Sequence, residues 1–232
     1  DDKNSYESLK SSLKEDGYKT KLLKTEGNSA EVWDIFGTLK TDFIVLKAVI
    51  DYLMSENGTR LDTRMNDATK LYAAVILNFI HKNEDTDGLG NKIYEFLDVC
   101  SIEDIENMLA ENDPTCFQNI LYQQIADFSQ AKKRELLLVV QSYIEILQHP
   151  CFNIGKRKIE VPVTSGEAYI FVGAEDDEYK EKIFAIATIF ASMRTSRKLE
   201  VAYHSYSDCV LFPRDFVFED AKIEVIFYGG DK

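Results

Sequence analysis

Apolar positions along this chain keep one spacing in its middle and another towards its ends. From Thr41, which is placed to cap a helix, Phe43, Leu46, Ile50 and Leu53 recur at helical spacing. Asn57-Gly58 breaks that helix. The next, about Arg64 to Lys82, is apolar nearly all round through "LYAAVILNFI", which predicts the most buried helix of the molecule. "NEDTDGLGN" predicts a loop and "NKIYEFLDV" a short helix after it. Ser101-Ile102-Glu103-Asp104 has the capping-box pattern and opens a helix through Leu109. Asp113-Pro114 predicts a cap with proline in the first helical position, and Phe117, Ile120, Leu121, Ile125 and Phe128 mark the stripe that this helix buries. A last long helix starts behind Ser129 with Leu136, Val140, Tyr143, Ile144 and Leu147 on one side, and Pro150 ends it.

The flanks read differently. Asn4 to Asp16 has helical character and closes at Gly17, and "YKTKLL" (Tyr18–Leu23) follows as a strand. After Gly155 the period drops to two. "KIEVPV" (Lys158–Val163) and "EAYIFVG" (Glu167–Gly173) read as strands, followed by a helix from about Asp177 to Met193 with acids in its first turn. "LEVAYHSY" and "KIEVIFYGG" close the chain as strands. The expected fold is therefore an α/β base, 1–40 and 155–232, carrying a large all-α helical insertion, 41–154, and predominantly helical overall.

Composition narrows the partners. A hydrophobic content of 45% can fill a core, and a net charge of −13 argues against a broad duplex-binding face. A basic protein partner suits that charge; so does acidity that serves solubility alone. Cys100, Cys116, Cys151 and Cys209 are scattered, as reduced cytosolic thiols are. No stretch reaches the ~20 apolar residues of a membrane span, so a cytoplasmic chain without membrane contact is expected. The opening Asp1-Asp2-Lys3 reads as the start of a fragment or a processed chain.

Motifs for chemistry are sparse. With Asn83, Asp85 and Asp87 as ligands, Gly88 falls where a calcium loop needs glycine, but Tyr94 stands where the bidentate glutamate belongs and Gly90 replaces the usual apolar residue. His81, His149 and His204 lie far apart and lack zinc spacing. His204 with Ser205, Ser207 and Asp208 lacks a nucleophile-elbow sequence. Glu175 to Glu178 are explained by a helix start, and no G-x-x-x-x-G-K-[ST] occurs. No catalytic residue, cofactor or metal is expected. Lys132, Lys133 and Arg134 remain: three cations at a helix start oppose its dipole by about 0.3–1 kcal/mol each, and call for carboxylates from a neighbouring helix or from a partner.

Several segments, in order, resemble one family. Asp2-Lys3 running into "SYESLKSSLKEDGYKTKLLK" is similar to the helix and "G-Y-x-V-x-V-L" strand that follow a D-x-K-G-E turn in the TraG/TraD-type coupling proteins of type IV secretion and conjugation. "IDYLMSENG" and "NDATKLYAAVILNFI" resemble that family's entry into its all-α domain, and "FSQAKKRELLLVVQSYIEIL" with "HPCF" resembles the closing half. "GEAYIFVGAEDDEYKEKIFAIATIFASM" resembles the return into the ATPase base, so the likeness covers Asp1 to about Met193. In that family the Walker A segment precedes the part that this sequence resembles, and no Asp-Glu pair follows "LEVAYHSYSD" here as the family's Walker B would.

The resemblance implies that the flanks are part of a P-loop-type nucleotide-binding domain. It implies that the lobe recruits a relaxase, relaxosome accessory proteins or secreted effectors at the cytoplasmic face of the inner membrane. The parent is then a hexameric ATPase that handles DNA, while this piece is non-catalytic. The residues expected at the docking surface are Glu103, Asp104, Glu106, Lys132, Lys133 and Arg134. A stand-alone helical adaptor unrelated to secretion, or a cryptic nucleotide hydrolase, is the alternative.

Overall fold

The computed structural model describes residues 10–11, 14–15, 17, 19–24, 32–40, 43–55, 61–154, 167–173, 178–194, 200–204 and 224–229. These residues are predominantly helical. They divide into two compact units, one built from Asp34–Lys156 and the other from Asp1–Trp33 with Arg157–Lys232.

The helical unit begins with α1 (Ile35–Leu39), whose cap is Asp34: its Oδ1 accepts the Gly37 N–H at 2.7 Å. α2 (Phe43–Leu53) and α3 (Thr63–Lys82) follow. The side chain of Asp62 caps α3 by accepting the Met65 N–H at 2.8 Å, and His81 and Lys82 end the helix as its dipole favours. Leu71 to Leu77 are all buried, and α3 packs against α2, α4 (Leu89–Val99), α6 (Phe117–Ala126) and α7 (Gln130–Gln141). A helix apolar on every side has to be surrounded, and this one is.

The two ends of the helical unit meet. The Phe36 ring of α1 lies 5.1 Å from the ring of Phe152, in the 3-10 turn Pro150–Phe152. Asn153 then fastens the start of α4: its carbonyl accepts the Gly88 N–H at 2.8 Å and its Oδ1 accepts the Asn91 N–H at 2.7 Å. Gly88, with φ of 66°, offers no side chain for the task, so a distant residue supplies the cap. Gly90 lets the layers close. A Cβ there would collide with the Leu147 carbonyl and lie 2.8 Å from Phe152 Cβ.

In the other unit, β1 (Lys19–Lys24), β2 (Glu167–Gly173), β3 (Glu200–His204) and β4 (Glu224–Gly229) form one sheet in the order β1-β2-β4-β3. Every pairing is parallel. Lys19 stands opposite Glu167, Tyr169 opposite Val225 and Glu200 opposite Glu224. Parallel neighbours need a crossover, and the chain between β1 and β2 contains the whole helical unit. α8 (Lys180–Arg194) leads from β2 towards β3 and buries Ile183, Phe184, Ile186 and Ala187.

Several sequence expectations are corrected. The helical unit starts at Asp34, not residue 41, because α1 belongs to it. Asp113-Pro114 starts no helix: Asp113 Oδ1 accepts the Thr115 N–H at 2.8 Å in a local turn, and α6 begins only at Phe117 behind Cys116. The face that α6 buries is Gln118, Leu121, Tyr122 and Ile125, which leaves Ile120 exposed. α7 stops at Gln141, well before Pro150. The Ser142 hydroxyl donates to the Val139 carbonyl at 2.7 Å, and its N–H is shared between Val139 and Val140, tightening the chain into the 3-10 turn Glu145–Gln148. α8 begins at Lys180, so Glu178 lies in the turn before it and Glu181 is the acid of its first turn. The Asn57-Gly58 break, the Thr41 cap, most of the Asn4–Asp16 helix and the Lys158–Val163 strand fall outside the described residues.

Candidate functional site

The six expected docking residues come from two helices, α5 (Ile102–Ala110) and α7, and the structure divides them between tasks. α5 forms because Ile102, Ile105 and Leu109 make one buried face and a complete capping box starts it. Asp104 is spent there: its Oδ2 accepts the Ser101 N–H at 2.7 Å and the Ser101 hydroxyl at 2.6 Å, while the Ser101 hydroxyl oxygen accepts the Asp104 N–H at 3.2 Å. The Ser101 hydroxyl, and then its N–H, holds the Asp104 carboxyl below its ordinary range. Glu103, one position earlier, is exposed.

On α7 the buried positions are Lys133, Leu136, Leu137 and Val140, so Lys133 stands in the apolar stripe itself, only 5% exposed. Its Nζ lies 2.7 Å from Glu106 Oε1 on α5. The Tyr122 hydroxyl, from α6, donates to that same oxygen at 2.6 Å, and Lys133 Nζ sits 5.6 Å from the centre of the Tyr122 ring. Three helices are thus pinned by one carboxylate. The Lys133 ammonium and then the Tyr122 hydroxyl lower the Glu106 carboxyl, whereas burial followed by the hydrogen bond to Glu106 pushes the Tyr122 phenol well above its usual range.

Lys132 is also engaged. Its Nζ lies 3.4 Å above the Phe128 ring and 3.6 Å from Asp67 Oδ2 on α3, whose other oxygen holds Lys70 at 2.9 Å. Asp67 and Glu106 therefore supply the carboxylates that the cations at the start of α7 need. Arg134 is exposed. Of the six residues, Glu103 and Arg134 face solvent freely, Lys132 keeps part of its surface, and Asp104, Glu106 and Lys133 hold the lobe together.

Sequence reading named Glu106 and Lys133 separately but missed Tyr122 and Asp67. The signal for the first was the register: residues 133, 136 and 140 share a helix face, so a lysine in that row needs a buried acceptor. Asp67 carried no such signal, since its pairing with Lys132 is made by tertiary packing alone.

Elsewhere among the described residues, several polar groups tie the chain to itself. In the 83–88 loop, Asp85 Oδ1 accepts the Asp87 N–H at 3.0 Å, the Thr86 hydroxyl donates to Asp34 Oδ2 at 2.7 Å, and Lys40 Nζ donates to the carbonyls of Asn83 and Glu84. His149 Nδ1 accepts the Cys151 N–H at 3.2 Å. Burial, then the Asp104 charge, pushes the Cys100 thiol up to about 11, which keeps it protonated. Among the described residues no cluster of His, Cys, Asp or Glu could hold a metal ion, and no helix is long and apolar enough to cross a membrane. No family model, curated protein or solved structure matches the chain.

Proposed function

We propose that this chain is the substrate-recruiting all-α domain of a type IV secretion or conjugation coupling protein, with flanking parts of that protein's nucleotide-binding domain. The carrying observation is the pairing of β1 with β2, strands that stand before and after the helical unit in sequence yet lie side by side and parallel. The meeting of Phe36 with Phe152 adds support, because a unit entered and left at one place suits insertion into another domain's crossover. A stand-alone helical adaptor needs neither feature. The parallel order β1-β2-β4-β3 supports a partial P-loop-type base.

In this reading the helices hold cargo while a hexameric motor formed by the parent supplies force, and the chain itself hydrolyses nothing. The partners are a relaxase, relaxosome accessory proteins or secreted effectors on the cytoplasmic side of the inner membrane. Co-precipitation of the purified chain with relaxase, relaxosome accessory proteins and secreted effectors tests the reading. Glu103→Lys and Arg134→Glu are the appropriate probes, since both side chains are exposed and outside the interhelical ties. Capture weakened by either variant supports recruitment; no capture of relaxase, accessory protein or effector overturns it. Saturable binding of labelled ATP with magnesium would favour a nucleotide hydrolase instead.

A further inference from the structure

Two ties fix how α7 runs beside the end of α4 and the start of α5. Lys133 holds Glu106, and Gln141 Nε2 donates to the Leu97 carbonyl at 2.7 Å. Positions 133 and 141 are about 12 Å apart along a helix. Residues 97–106 are therefore laid alongside α7 in the opposite direction. On this strip lie Val99, 80% exposed, and Leu138, 65% exposed, two of the three large hydrophobic side chains exposed among the described residues.

The strip is acidic. Glu95, Asp98, Glu103 and Asp104 are exposed on one side of it, and Glu135 and Glu145 on the other, against two exposed cations on the α7 side, Arg134 and Lys132, of which Lys132 is held to Asp67 and Phe128. Among the described residues no ion pair takes Asp98, Glu103, Glu135 or Glu145. Among the described residues no side-chain hydrogen bond or ion pair holds those four carboxylates, unlike Glu106 and Asp67. Exposed apolar side chains on a strip whose exposed charges are mainly carboxylates match a partner with the opposite sign around an apolar stripe.

We propose that this strip docks a short basic amphipathic helix, with two apolar side chains seated on Val99 and Leu138 and its Lys or Arg residues facing Asp98, Glu103, Glu135 and Glu145. The apolar pair sets the register of the helix and the acids speed encounter and choose its charge. The proposal deepens the recruiter reading and rests on it only for where the helix comes from, namely an exposed segment of the cargo.

The test is fluorescence anisotropy of the full chain with a labelled leucine–lysine peptide whose leucines fall on one helical face. A scrambled peptide of the same composition and a leucine–glutamate peptide serve as controls. Saturable binding is expected, weakened roughly tenfold by Val99→Ser with Leu138→Ser, and weakened similarly by Asp98→Lys with Glu135→Lys. Circular dichroism melting of both variants should match the parent, since all four side chains are exposed. Absent binding, binding indifferent to the serine pair, or equal binding of the leucine–glutamate or scrambled peptide overturns the proposal. Self-association in sedimentation velocity that the serine pair abolishes also overturns it, in favour of a second copy as the occupant. Relaxase capture that survives the serine pair sinks this face and spares recruitment; peptide binding without capture of any cargo protein sinks recruitment and spares the face.

Discussion

Lys133 Nζ lies 2.7 Å from Glu106 Oε1, so a cation in the apolar stripe of one helix is neutralised by a carboxylate from another. The lysine side chain is 7% exposed and the glutamate 33%, which makes the pair one-sided: the lysine depends on the glutamate more than the reverse. Removing one partner of such a pair strands a charge, whereas replacing both can be nearly neutral.

Glu106→Gln should therefore destabilise the chain by about 2 kcal/mol, with the loss reduced from the fully buried case because Glu106 is partly hydrated. Lys133→Met combined with Glu106→Gln should recover most of that loss, since methionine fits the stripe formed by Leu136, Leu137 and Val140. Urea unfolding of the two single variants and the double variant measures the coupling. Additive losses would contradict the direct pairing of these residues.

The same carboxylate predicts an acid limit. Lys133 and Tyr122 lower the Glu106 carboxyl in the folded state, so the folded chain binds this proton less readily than the unfolded chain. The stabilisation is present above the ordinary glutamate value, about 4.3, and is lost as pH falls through the lowered folded value. Asp104, Glu111 and Asp113, also lowered, act in the same direction. Thermal melting from pH 7 to pH 3 should show a fall that is shallower in Glu106→Gln than in the parent. Parallel profiles would mean that Glu106 does not titrate as the hydrogen bonds require.

How far the sequence exposed this arrangement depends on what each position answers to. α3 and the capping box of α5 were legible because local rules decide them: an apolar run, and a serine three residues before an aspartate. Asp113-Pro114 satisfied a local rule too, yet the Thr115 N–H competed for the Asp113 carboxylate and the turn won. The end of α7 was set by Ser142 rather than Pro150, a choice that periodicity does not register. At the candidate site, the residue types were visible but their partners were not. Glu106 meets Lys133 and Tyr122 only once three helices have packed.

Gly90 offers a test of that packing. It lies inside α4, where alanine would ordinarily stabilise a helix by about 1 kcal/mol. Here a Cβ would strike the Leu147 carbonyl and press on Phe152, whose ring contacts Phe36. Gly90→Ala should cost roughly 1–3 kcal/mol, the usual range for forced overpacking. Equilibrium denaturation reads the sign directly, and a more stable variant would refute the close approach of α4 to the 147–152 segment.

Tyr72 makes the opposite prediction in the middle of α3. The residue is wholly buried, and its hydroxyl has no hydrogen-bond partner among the described residues. Burial alone raises its phenol far above the ordinary range, the response of a group surrounded by apolar atoms. A buried hydroxyl without a partner costs about 1–3 kcal/mol relative to its hydrated state, while the ring continues to fill the same space in phenylalanine. Tyr72→Phe should therefore leave the fold unchanged and raise stability by roughly 1 kcal/mol, read as a higher urea midpoint at constant slope. A loss of comparable size would show that the hydroxyl is bonded after all, and would mark the surroundings of Tyr72 as polar rather than dry.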